Sequence, residues 1–79
     1  MHMDRAIFDL NASVGATSLY ILVCALLDQG EQGITLDRVS VQWNGSREEL
    51  HAAAEELVRR GVLTGGDGHF HVNSKEKWH

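Results

Sequence analysis

The sequence predicts a small α+β fold of three helices, with a short strand between the first two and a β-hairpin near the C-terminal end. Three observations carry this expectation. Ser46 stands three residues before Glu49 at the head of an amphipathic run, the pattern in which a serine oxygen and a glutamate carboxylate satisfy each other's free N–H groups. The loop Gly65-Gly66-Asp67-Gly68 separates two short apolar-containing runs, which is a hairpin signature. The apolar run 14–27 follows Asn11 and Ser13, either of which suits a helix cap, and ends at Asp28-Gln29-Gly30 with glycine in a stop position.

In chain order, residues 1–12 read as an N-terminal arm or short helix, in which Ile7, Phe8 and Leu10 offer apolar surface for docking. The run 14–27 is the first long helix, although Tyr20-Ile21-Leu22-Val23 alone would suit a buried strand equally well. Leu19, Leu22, Val23 and Leu26 cover one face of that helix, while Tyr20, Cys24 and Leu27 make a second. Either the arm and Trp78 cover the second face, or it is a dimer interface. Gly33-Ile34-Thr35 is placed as the short strand, and Thr35 caps a short helix from 36 to about 42 whose inner face is Leu36, Val39 and Val41. Trp43-Asn44-Gly45 makes the turn before Ser46.

From Ser46 onward, Leu50, Ala53, Ala54, Leu57 and Val58 recur at helical spacing, and Glu48, Ala52, Glu55 and Arg59 point the other way. Arg59 and Arg60 suit the carbonyl end of this helix, and Gly61 suits the left-handed position that ends it. In the hairpin, Phe70 and Val72 share one face and His69 and His71 the other. Residues 73–79 are polar apart from Trp78 and read as a flexible tail. The expected core is Leu19, Leu22, Val23, Leu26, Ile34, Leu36, Val39, Leu50, Ala53, Leu57, Val58, Leu63, Phe70 and Val72.

A chain of 79 residues makes one domain with a thin core, burying only about 60% of its unfolded surface. The formal net charge of −4 does not advertise a nucleic-acid binder. Cys24 is the sole cysteine and sits within an apolar run, so a small core residue in a reducing cytoplasm is expected. No run is long and apolar enough to suggest a membrane span, and no stretch reads as a signal peptide. The sequence contains no nucleophile–base pair, paired-carboxylate motif or phosphate-cradling loop, so a non-enzymatic protein without a cofactor is expected. His69-x-His71 offers two imidazoles on one strand face, with Asp67 or His51 as a third metal ligand, but the simpler reading is solvent-facing histidines.

The order helix, short strand, short helix, turn, helix and hairpin resembles the winged helix-turn-helix family of transcription-regulator type. The features carrying the likeness are SREELHAAAEELVRRGVL running straight into the glycine-rich hairpin. The resemblance covers residues 13–72 and implies a small winged-helix domain whose helix 46–60 enters a DNA groove while the hairpin wing touches the backbone. On that basis the nucleic-acid contacts are expected at Ser46, Arg47, His51, His69 and His71, with Glu48, Ala52 and Glu56 also at contact positions. The charge of the helix points another way. Its three cations, Arg47, Arg59 and Arg60, face four anions, Glu48, Glu49, Glu55 and Glu56, and negative charge repels phosphate. The two expected functions are therefore a DNA-binding module and a protein-interaction or dimerisation module, the latter with the apolar run 14–27 as a homodimer surface.

Overall fold

Ser13 starts the longest helix, α1 (Val14–Asp28), by accepting the Ala16 N–H on its side chain. The computed structural model describes residues 3–65 and 69–79. After α1 come α2 (Leu36–Ser40), α3 (Arg47–Arg59) and an antiparallel pair, β1 (Leu63–Thr64) and β2 (His71–Val72), in register Leu63 with Val72 and Thr64 with His71. Short 3-10 turns at Arg5–Phe8 and Lys75–Lys77 flank this set. The architecture is α+β, three helices with a two-stranded sheet. The glycine-rich hairpin tip, including Asp67, lies outside the described residues.

The core forms where α3 lies against α1. Leu19, Tyr20, Val23 and Leu26 of α1 meet Leu50, Ala53 and Leu57 of α3, with Ile34, Val39, Val62 and Leu63 closing the ends. Each fully buried leucine among these contributes about 1.5–3 kcal/mol by leaving water. Thr35 caps α2 by accepting the Arg38 N–H at 3.1 Å. At Ser46 both halves of the capping box are made: the serine Oγ accepts the Glu49 N–H at 3.1 Å, and Glu49 Oε1 accepts the Ser46 N–H at 3.3 Å. The far end of α3 is closed as deliberately. Gly61 has φ +76°, its N–H donates to the Val58 carbonyl, and the Val62 N–H reaches back to Leu57. That double bond pattern is the Schellman closure, and buried Val62 packs where its hydrophobic contact belongs.

Several expectations are corrected. Val58 is exposed at 45%, because it sits at the edge of the inner stripe of α3 where the hairpin does not cover it. Val41 is 77% exposed, since α2 ends at Ser40 rather than near 42 and the next residues turn outward. Leu22, Leu36, Phe70 and Val72 pack on the core only as half-buried residues. Gly33-Ile34-Thr35 makes no strand among the described residues, only one ladder-like bond from the Phe70 N–H to the Ile34 carbonyl at 2.7 Å. The neighbours explain this: Gly33 has φ +63° and Thr35 is committed to capping, so only Ile34 remains to pair.

The chain ends are integrated. Ile7 is fully buried, and the Asp4 N–H donates to the Tyr20 hydroxyl at 2.8 Å. Trp78 meets the Tyr20 ring edge-on with centroids 5.4 Å apart, so the arm and Trp78 cover the Tyr20–Cys24 face of α1. Residues 73–79, read from sequence as flexible, are tied down in the structure. Trp78 Nε1 donates to the Asn73 carbonyl, Asn73 Nδ2 to the Gly61 carbonyl, and the His79 N–H to the Arg60 carbonyl. The Arg60 guanidinium then joins both ends, donating to the carbonyl of Leu10 at 2.9 Å and to that of His79.

Candidate functional site

The outward side of α3 and the adjoining hairpin hold the residues picked out from the sequence. Ser46 is exposed, but its Oγ and N–H are both engaged in the capping box. Arg47 reaches sideways to Asp37 of α2, with Nη2 3.1 Å from Oδ1, in a pair so exposed that it contributes only about 0–1 kcal/mol and yields readily to a better partner. His51 is exposed one turn further along. His71 lies on β2 opposite Thr64, and the His69 ring packs beside Gly33, where an added Cβ would meet Nδ1 at 3.3 Å.

Between α3 and the hairpin runs a groove of about 530 Å³. Leu36, Ala54, Val58 and Phe70 make its apolar floor, while His51, Glu55 and Arg59 stand along it. The structure thus brings His51 to a groove to which His69 and His71 do not contribute. Among the described residues no three of His, Cys, Asp and Glu gather as a metal site, and Asp67, one suggested third ligand, lies outside them.

The cations of α3 and of its C-cap are largely engaged within the molecule. Arg60 is spent on Leu10 and His79, and Arg47 is paired with Asp37. Glu56, placed by the family likeness at a contact position, instead turns to the start of α1. Its Oε2 accepts the Ser13 N–H at 2.8 Å and its Oε1 the Ser13 hydroxyl at 2.7 Å. These two bonds hold its carboxyl below the ordinary range, with Arg59 and Arg60 adding smaller pulls. Among the described residues, neither Glu48 nor Glu55 makes a side-chain hydrogen bond or ion pair, so the open charge on this face is mainly negative, with Arg59 as its counterweight.

Elsewhere, titratable groups are structural. Burial pushes the Tyr20 hydroxyl up to about 12, against the opposing effect of the Asp4 N–H, and burial likewise pushes the Cys24 thiol up, which leaves it a protonated, unreactive core group. Glu31 binds Arg38 through two bonds of 2.7 and 2.6 Å, which raises the guanidinium's affinity for its proton and pins α2 to the preceding turn. Sequence reasoning missed Leu36, Val58 and Phe70 as groove residues. The signal was present for α3 alone, where His51, Ala54, Glu55 and Val58 recur at three- and four-residue spacing; Leu36 and Phe70 come from other elements, which no spacing on α3 announces.

Compared with known proteins, the chain matches no family model, no curated protein and no solved structure.

Proposed function

We propose that this chain is a non-catalytic, winged-helix-type interaction module that binds a protein partner through the groove between α3 and the hairpin. The carrying observation is the combination of an apolar floor, Leu36, Ala54, Val58 and Phe70, with open carboxylates at Glu48 and Glu55. Such a surface suits an amphipathic segment with apolar anchors and basic flanks, because the anchors leave water and the flanks meet opposite charge. The buried, protonated Cys24 thiol is at home in a reducing cytoplasm, where we place the protein.

The test uses a short amphipathic peptide with leucine and lysine on opposite faces, titrated into the isotopically labelled protein. Shifts should concentrate at Ala54, Val58 and Phe70, and replacing Glu48 and Glu55 by glutamine should weaken binding. Stronger or equal binding by the glutamine variant would rule out this charge-based recognition.

A second reading, a transcription-regulator-like DNA-binding module, is favoured by Arg47, whose exposed pair with Asp37 can be exchanged for a phosphate or guanine. Its contacts would be Ser46, Arg47, His51, His69 and His71. The same variants separate the readings. On duplex DNA the glutamine changes would strengthen binding by removing repulsion, and Arg47→Ala would weaken it with a flatter salt dependence if the contact is to phosphate. Absence of DNA binding at low salt in parent and variants alike leaves the protein-binding reading in place.

A further inference from the structure

A second groove runs along the exposed face of α1. It encloses about 610 Å³ between Val14, Ser18, Ile21 and Ala25 on one side and Gln42 and Trp43 on the other. Two of the five large exposed apolar side chains among the described residues line it, Val14 at 85% and Ile21 at 39% exposure. This is not the Tyr20–Cys24 face, which the arm and Trp78 already cover.

We infer that this face is the contact surface for a second copy of the chain, packed α1 against α1 in antiparallel orientation about a two-fold axis. Spacing, size and charge point to that occupant. Val14, Ser18, Ile21 and Ala25 follow one another at intervals of four, three and four, the alternation that keeps a seam facing a partner helix. An antiparallel two-fold between Ser18 and Ile21 sets Val14 against the partner's Ala25 and Ser18 against the partner's Ile21. Every large side chain then meets a small one, whereas a parallel pairing would stack isoleucine on isoleucine and serine on serine. α1 has no charged residue before Asp28. Among the described residues the one charged group lining the groove, Glu49, is bonded to the Ser46 N–H. A neutral face of this kind offers nothing to a charged partner and matches itself, and antiparallel packing also sets the two helix dipoles favourably.

This proposal is independent of what the α3 groove binds. Each copy carries a formal net charge of −4, so association should strengthen as salt screens the repulsion between copies, the opposite of the salt response expected at the α3 groove. Sedimentation of the intact chain should show the mass rising from 8.8 kDa toward twice that value. The rise should move to lower concentration in high salt, as the repulsion between copies is screened. Ile21→Glu should hold the protein at monomer mass. Val14→Glu, at a side chain already in water, should do the same with the fold intact by circular dichroism. Oxidising an equimolar mixture of a Val14→Cys chain and an Ala25→Cys chain should give the mixed covalent dimer, because the antiparallel seam alone brings those two positions together, while buried Cys24 takes no part. A parent that stays monomeric at about 1 mM in high salt, or a dimer that survives Val14→Glu, would overturn the proposal.

Discussion

The two long helices start on the same residue type and differ in where the rest of the cap comes from. At Ser46 the reciprocal partner is Glu49, three residues on, so α3 closes its own first turn. At Ser13 the equivalent position is Ala16, which has no carboxylate to send back. Glu56, 43 residues away on α3, fills that role and binds both the N–H and the hydroxyl of Ser13. A local cap stabilises a helix whether or not the domain has formed, whereas a borrowed cap exists only once the two helices have met. The start of α1 therefore reports tertiary structure, and the start of α3 reports secondary structure.

The largest test removes the packing that brings the helices together. Leu57 is fully buried, and Leu57→Ala should cost about 2–5 kcal/mol in denaturant unfolding. If the borrowed cap depends on docking, this change should also raise amide exchange at Ala16 and leave Glu49 protected. Equal effects at the two helix starts would contradict the distinction. Next in size are the caps themselves. Ser46→Ala should cost about 1 kcal/mol, and Ser13→Ala more, up to about 2 kcal/mol, because it also removes a bond to a carboxylate. The reverse order would mean that the Glu56 link contributes little.

The pH response sharpens the same contrast. Bonding to Ser13 holds the Glu56 carboxyl below its ordinary value of 4.5 in the folded protein, so its stabilisation is complete above that value and is lost as pH falls through the lower folded-state value. Thermal melts at pH 3–5 should therefore show a shallower acid loss in Glu56→Gln than in the parent, and parallel curves would remove Glu56 from the acid response. The smallest expected effect is at Glu55, one residue away on the open face. Glu55→Ala should change stability by less than about 0.5 kcal/mol, and a larger loss would mean that the outward face of α3 is engaged in the fold.

Legibility in the sequence divides along the same line. The boundaries of α3, its capping box and the Gly61 stop are local and could be read from residues a few positions apart. The hairpin was legible only in outline: a four-residue loop at 65–68 would set Thr64 against His69, whereas Thr64 pairs with His71 and β2 begins only there. The Ser13–Glu56 pair and the reach of Arg60 to Leu10 join residues 43 and 50 positions apart, and no periodicity encodes them. Polar composition suggested a loose tail at 73–79, but Asn73 and Trp78 supply the specific donors and ring that fix it. For the candidate site, the exposed positions Arg47, His51, Glu48 and Glu55 were legible from helical phase alone. The groove was not, because its floor is assembled from α2, α3 and the hairpin, with Val58 exposed on it rather than in the core.

The Arg60 guanidinium, which holds a carbonyl near each end of the chain, has a kinetic consequence. Chain ends ordinarily fray independently, each with its own small opening energy. Here Leu10 and His79 share one guanidinium, so the opening of the arm and that of the tail are expected to be coupled. Hydrogen exchange should show it directly. The amides of Ile7 and Trp78, which are bonded within separate turns, should exchange with a common opening rate in the parent and with two unrelated, faster rates in Arg60→Lys, whose single ammonium cannot span both carbonyls.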